Sequence, residues 1–467
     1  MSNNSLYLPG FSHHLTGGRT APAAAKLMKQ ADNLDGLAAL VAKFIPAETF
    51  APGPGQRKRV FTPWITFVAF LGQALTRGSS CRESVRRVQA WCAASRQSVP
   101  DDNSSAYCQA RERLTRESLE QAHGALGGWL DRRQAESWCG RSVKVLDGCG
   151  VSMPDTAENR EQWSYAGGQK PGCGFPTGKL VGLFCLASGR LVRFAFASLR
   201  VHEINLARQL LPWIERGEVV LADRGFCGWG FMALLQQQGV DLVMRLQGPQ
   251  RVKTIGQSEW KKPKLSSARW TKELWAELPD KLTVRVVRFR VSVPGFRTHE
   301  VVLVTTLLDE TSYPDEAIIE LYRKRWAVEL FFRDIKTTLG LDVLRCRSPE
   351  LIEKEIWLQA IAYNLVRALM LEAALTYQLP VERLSFKGTV DTLRQWTPLL
   401  APAIFASRAA RRELLRIIAA DQIPDRPNRS EPRARKRRPH NYWLLTQPRH
   451  EMVVPPHRGK LRKPSLS

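Results

Sequence analysis

Two aspartates and a glutamate stand at positions where side chains do chemistry. Asp147 follows the apolar run 143–146 and Asp223 follows the apolar run 219–222, and a glycine comes soon after each. Short apolar runs rich in valine read as buried strands. In α/β sheets the carboxyl ends of strands are where sites are built. A carboxylate directly after buried strand residues must be solvated, ion-paired or bound to a metal. Taken singly, each aspartate reads as the start of a turn; two such strand ends in one sheet point to a site. Glu329 is the third acid, within the run YRKRWAVELFFRDIK of residues 322–336. At about 100° per residue on a helix, Tyr322, Arg325, Glu329 and Lys336 share a stripe about 60° wide. Val328, Phe331, Phe332, Ile335 and Leu339 form the adjoining apolar face. A solvated face of mixed charge would show the same periodicity.

The elements expected to hold these residues alternate along the chain. From 64 to 128 the apolar spacing is helical, interrupted at 78–80 and 100–105 by turn-forming residues. Strands are expected at 143–146, 180–188, 191–198, 218–222 and 241–246, with helices at 204–217 and 231–238 between the later ones. Residues 247–297 change texture, with Trp260, Trp270 and Trp275 followed by an alternating run from 282 to 293, and read as a β-rich insertion. A strand at 301–308, a long helix at 314–339 and an amphipathic helix at 355–375 complete the pattern. The sum is an α/β fold with a helical unit before it.

Composition narrows the partner. The 467-residue chain carries 69 Lys and Arg against 44 Asp and Glu, a net +25. A surplus of that size fits a polyanion better than a neutral metabolite. Part of it is local: 51–140 carries +5, and 428–467 holds eleven Lys and Arg against two Glu, for +9. The terminal block reads as a phosphate-screening tail. The longest apolar stretch, 64–75, falls short of the roughly 20 residues that cross a bilayer and reads as a core helix. No signal peptide is apparent, and nine cysteines without zinc spacing read as reduced, buried thiols. The expectation is a cytoplasmic protein with no membrane partner.

The pattern Tyr322, Arg325, Glu329, Lys336 (Y-x2-R-x3-E-x6-K) resembles the signature of DDE transposases of the insertion sequence 4 family. The segment around Leu146-Asp147-Gly148 is similar to that family's first-aspartate segment, and Ala222-Asp223-Arg224-Gly225 to its second. The resemblance is good over 141–376, looser over 60–140, and in the tail rests on 436–439 and 444–446. It implies an RNase H-like catalytic core at 141–376 with a β-rich insertion at 247–297. An N-terminal arm (1–60) and a helical DNA-binding domain (61–140) would precede this core, and a helical region with a basic tail (377–467) would follow. It also implies that Asp147, Asp223 and Glu329 are catalytic and hold two Mg²⁺ ions, Mn²⁺ being able to substitute. Tyr322, Arg325 and Lys336 would contact DNA phosphates. The implied reaction is cut-and-paste transposition: strand cleavage at terminal inverted repeats, hairpin formation, and transfer to target DNA by a homodimer bound to two ends. Any of the three tryptophans could stack a flipped base, although core packing is the simpler role, and the glycines of 167–172 could admit DNA. A silent DNA-binding derivative and an RNase H-fold nuclease without strand transfer are the alternatives.

Overall fold

The computed structural model describes residues 33–51, 59–133, 138–165, 172–246, 255–265, 270–291, 299–397, 408–424, 448 and 451. They form two compact units that are not consecutive in sequence: 1–131 with 357–423, and 132–356 with 424–467. Composition along the chain suggested four consecutive pieces, because a change of texture cannot show that distant segments share a core. The expected arm lies largely outside the described residues, as do most of the basic tail and positions 167–171 of the glycine run.

The first unit is helical. Its early helices are α1 (Asn33–Ala42), α2 (Pro63–Leu75), α3 (Cys81–Ala94), α4 (Ser105–Arg113) and α5 (Arg116–Asp131). The apolar stretch expected as a core helix is α2. Thr62 caps it by accepting from the Ile65 N–H at 3.3 Å, and Pro63 takes the first helical position, where its missing N–H costs nothing. Phe67, Val68, Phe70 and Leu71 are buried along it. The two interruptions anticipated in sequence precede α3, capped by Ser80, and α4.

The second unit is built on one eight-stranded mixed sheet in the order β3-β2-β1-β4-β5-β8-β7-β6. The strands are β1 (Val143–Ser152), β2 (Thr177–Cys185), β3 (Leu191–Ser198), β4 (Val219–Ala222), β5 (Asp241–Arg245), β6 (Gly256–Lys261), β7 (Lys281–Val291) and β8 (His299–Thr305). β1, β4 and β5 run parallel; β2 and β3 pair antiparallel on one side, and β8, β7 and β6 on the other. Among the described residues, the strands of the β-rich insertion therefore extend the main sheet through β8. Four short helices belong to this unit: α6 (Ala157–Trp163), α7 (Glu203–Gln209), α8 (Trp229–Gln237) and α9 (Lys272–Glu277). The helix expected over 204–217 stops at Gln209 and passes into a tight turn at Leu211–Trp213, because Pro212 cannot continue the α-helical ladder.

One sheet face packs its core against α7 and α8, with Leu146, Val220, Ala222, Phe231 and Trp270 buried there. The tryptophans weighed as base-stacking residues belong to this core: Trp260 and Trp275 pack against it and Trp270 lies within it. Gly230 of α8 makes room for Trp270, since a Cβ there would lie 2.4 Å from the indole. The opposite face carries the segment expected as one long helix. It is three pieces: α10 (Asp315–Lys324), α11 (Ala327–Arg333) and a π-helical turn (Asp334–Leu339). The helix expected at 355–375 is α12 (Pro349–Tyr377), followed by α13 (Phe386–Trp396) and α14 (Arg408–Ala420). Buried on nearly every side from Ile356 to Ala374, α12 is not amphipathic. Its length and apolarity would suffice to cross a membrane, but 89 % of its apolar window is buried inside the protein. All nine cysteines are free, and four are buried; Cys139 is exposed and the others lie between, so the expectation of uniformly buried thiols does not hold.

Candidate active site

The site grows from the register of two parallel strands. β1 and β4 pair from Val143↔Val219 to Leu146↔Ala222, and the next residue on each strand is an aspartate. Asp147 and Asp223 are thereby set side by side at the point where the two strands part. The expectation that β1 ends at Leu146 is corrected: the strand continues to Ser152, paired on its other edge with β2 from Lys144↔Cys185 to Ser152↔Thr177. What ends at Leu146 is only the pairing with β4. Side chains alternate along a strand, and Leu146 and Ala222 face the α7–α8 core. Asp147 and Asp223 therefore project from the other face, toward the α10–α11 segment. Each carboxylate is anchored by a nearby glycine N–H: Gly148 donates to Asp147 Oδ1 at 2.8 Å, and Gly225 to Asp223 Oδ1 at 2.7 Å.

The third acid arrives on α11. Val328, Phe331, Phe332, Ile335 and Leu339 are all buried, as their periodicity required. Phe184 of β2 receives the segment, its ring 5.6 Å from Phe331 and 5.0 Å from Phe332. Gly182, directly opposite Asp147 in register, leaves the space Phe184 needs: a Cβ there would stand 2.7 Å from its ring. Between α10 and α11 the backbone tightens to i→i+3 hydrogen bonds, with Val328 donating to Arg325 O and Glu329 to Trp326 O. Beyond α11 it loosens into the π turn. Both departures change the angle per residue, and such irregular turns recur at functional sites.

The four motif residues consequently do not form one solvent-facing stripe. Tyr322 and Arg325 are buried, Lys336 is half-buried, and the Glu329 side chain is 49 % exposed. Arg325 turns inward, its guanidinium 3.9 Å from Asp147 Oδ2 and 3.8 Å from Glu329 Oε1. It also lies 5.6 Å from the Tyr322 ring centre. Burial pushes the Tyr322 phenol up, with Arg325 pulling against it. Burial likewise pushes the Asp147 carboxyl up to about 6, and Asp223 and Glu329 add to the rise, while the Gly148 N–H and Arg325 oppose it. Lys336 acts on Cys149, two residues beyond Asp147, so its charge reaches the same strand.

Two residues not singled out from sequence lie here as well. Trp326, next to Arg325, is 61 % exposed. The carboxyl of Glu203, at the start of α7, comes within 3.4 Å of the Cβ position at Gly148 and 3.7 Å of that at Gly225, and pairs with Lys179 at 3.7 Å. Trp326 left no signal because its neighbours in sequence are charged and helical. Glu203 left none because its place depends on packing across the sheet.

Among the described residues, no three His, Cys, Asp or Glu side chains converge closely enough to hold a metal ion as they stand. Arg325 occupies the gap between Asp147 and Glu329. The donor chemistry still fits a hard divalent cation. All three groups are carboxylates, the hard oxygen donors such a cation takes.

A family model described as "Transposase DDE domain" matches residues 138–365, the stretch that carries all three acids. The transposase InsG of insertion sequence element IS4 from Escherichia coli K12 is 28 % identical over 406 residues, covering 83 % of this chain and 88 % of that one. The chain resembles the DDE transposases of the insertion sequence 4 family. The DDE domain match supports an enzyme of DNA cleavage and strand transfer that works with divalent metal. The transposase of IS421 from Escherichia coli is 40 % identical over 65 residues, 14 % of this chain and 18 % of that protein. A piggyBac transposase synaptic complex with hairpin DNA aligns with a TM-score of 0.42 at 10 % identity, over 86 % of each chain.

Proposed function

We propose that Asp147, Asp223 and Glu329 are the catalytic carboxylates of a cut-and-paste transposase with an RNase H-like core. In this reading the protein cleaves at terminal inverted repeats, forms a hairpin and transfers the freed end to target DNA. The observation that carries the site is the β1–β4 register, which brings Asp147 beside Asp223, together with the Arg325 guanidinium linking Asp147 to Glu329. The order β3-β2-β1-β4-β5, with only β2 reversed among these five, supports the RNase H-like assignment.

The three carboxylates would hold two Mg²⁺ ions, which supply an activated oxygen nucleophile and relieve charge on the leaving oxygen. The chain's own residues do the rest. Asp147 and Asp223 are fixed by strand backbone and glycine N–H groups, so they need little rearrangement. Glu329 is the exposed member, half open to solvent on α11. Arg325 neutralises Asp147 and Glu329 until other cations do so, and its guanidinium is then free for bidentate contact with a phosphate. Tyr322 holds the guanidinium's flank, and Lys336 adds a point charge beside β1. DNA ends would be paired by a homodimer.

The test incubates the full chain with Mg²⁺ and a plasmid carrying the element's inverted repeats. Asp147→Asn, Asp223→Asn and Glu329→Gln should each abolish cleavage while end binding survives. Retained cleavage in any variant removes that residue from the site. Cleavage without joined product would indicate a nuclease, and binding without cleavage a silent derivative.

A further inference from the structure

The three acids of the proposed site come from two strand ends and from α11, and a fourth carboxylate stands across the sheet from α11. Glu203 is the first residue of α7, directly after the His202 cap, whose ring accepts from the Ile204 N–H at 3.3 Å. Leu146 faces the α7–α8 core. Side chains alternate along a strand, so Gly148, two residues on, presents its bare Cα to the same face. Glu203 Oε1 lies 3.4 Å from where a Gly148 Cβ would stand, and Oε2 3.7 Å from where a Gly225 Cβ would stand. Asp223 Oδ1 borders that second point at 3.0 Å. The Glu203 carboxylate therefore spans the fork between β1 and β4, with one oxygen turned to each of the strands that carry the aspartates.

Its partners do not account for that placement. Among the described residues no hydrogen bond reaches either oxygen, and the ion pair with Lys179 of β2 is loose at 3.7 Å. An acid in the first turn of a helix gains from the helix dipole wherever its head points. The side chain is 35 % exposed, so water is within its reach, yet the carboxylate lies at the fork. Asp147 and Asp223 each already give one oxygen to a glycine N–H, and Arg325 stands between Asp147 and Glu329.

On the reading of Asp147, Asp223 and Glu329 as the metal-holding acids, we propose that Glu203 is a fourth carboxylate of that divalent-metal site, supplied by α7 from the opposite face of the sheet. Two divalent ions carry more charge than three carboxylates balance, and each such ion takes about six oxygen ligands. Glu203 gives up no hydrogen bond in becoming a ligand, and Lys179 offsets its charge until then.

The test follows Mn²⁺ binding to the full chain by electron paramagnetic resonance, without DNA and without reference to cleavage. Glu203→Gln should weaken Mn²⁺ binding about tenfold or more, and Asp147→Asn at least as much. Lys179→Ala should leave binding unchanged or strengthen it, because it releases the carboxylate. A Glu203–Lys179 pair that serves only the fold would make these two variants lose binding equally, which overturns the proposal. Unchanged binding in Glu203→Gln beside a loss in Asp147→Asn overturns the fourth ligand alone. Unchanged binding in Asp147→Asn overturns the three-acid site and this proposal with it. Mapping on the wild type needs no variant. Fe²⁺ bound in place of Mn²⁺, with ascorbate and peroxide, should cut the backbone at 202–204 as well as beside Asp147 and Asp223. An intact 202–204 overturns the proposal whether or not the variants fold.

Discussion

At the scale of single residues, the site shows a conflict between folding and chemistry. The folded protein holds the Asp147 carboxyl at about 6, above its ordinary 3.8, so the ionised form is penalised by folding. The sign follows from linkage. The penalty is absent below about pH 4, where the group is protonated in both states, and complete above about pH 6, where it is ionised in both. Asp147→Asn should therefore stabilise the metal-free protein at pH 7.5 by about 3 kcal/mol and leave it unchanged near pH 4, even as it abolishes the cleavage proposed above. Thermal melts in a chelator at the two pH values measure this, and an equal effect at both would refute it. Trp326 poses the complementary case. Its exposure means that Trp326→Ala should alter stability by less than about 0.5 kcal/mol. Base stacking on an indole is worth about 1–3 kcal/mol, so affinity for single-stranded or flipped ends should drop by about five-fold or more. An unchanged affinity for such ends would assign Trp326 no part in DNA contact. The acids were legible from sequence by type and position. The inward turn of Arg325 and the exposure of Trp326 were not, because both depend on where the helix tightens.

At the scale of elements, the sequence reveals periodicity but not its interruptions. The apolar positions of 328–339 are buried as read, and the extent of the helical segment is nearly right. A reading at constant 3.6 residues per turn cannot see the i→i+3 turn at 325–329 or the π turn at Asp334–Leu339, which owe their place to packing on β2. The same limit made β1 look short: its last five residues include two glycines and a serine, and they are a strand because β2 pairs with them. Likewise, β7 of the insertion announced itself by alternation and β6 did not, and their joining to β5 through β8 is a long-range pairing with no local mark. Phe184 is where strand and helix meet, so it makes the sharpest test at this scale. Phe184→Ala removes the partner of both Phe331 and Phe332 and should cost about 3–5 kcal/mol. Phe184→Leu should cost less, yet still lower cleavage more than end binding, because α11 carries Glu329. Equal losses of cleavage and binding in the leucine variant would show that this packing does not position the acid.

At the scale of the whole molecule, the two stretches that follow residues 315–339 should have different work. Residues 357–423 share a compact unit with the N-terminal helices. Glu372 of α12 accepts from Lys43 at 3.0 Å and from Arg411 Nε at 2.9 Å, which ties the start and end of that unit together. Asn364 meets His123 at 3.1 Å in the interior, where His123 also packs on Trp357, and Phe386 of α13 packs on Tyr363. The charge in 428–467 has a separate part: eleven Lys and Arg against two Glu can engage phosphates without any apolar core. Two truncations separate these roles. Removing 428–467 should leave the helical content and melting temperature of the remainder nearly unchanged. It should also lower DNA affinity and flatten the dependence of log affinity on log salt, by about 0.9 for each phosphate that the tail neutralises. Removing 379–467 takes α13 and α14 as well, and should unfold the N-terminal helices by exposing the faces of α12 that those helices cover. Circular dichroism and DNA titration at several salt concentrations read both outcomes. A stable helical unit after the longer deletion would show that the first 131 residues fold without their distant partners, and an unchanged salt slope after the shorter one would place the tail away from DNA.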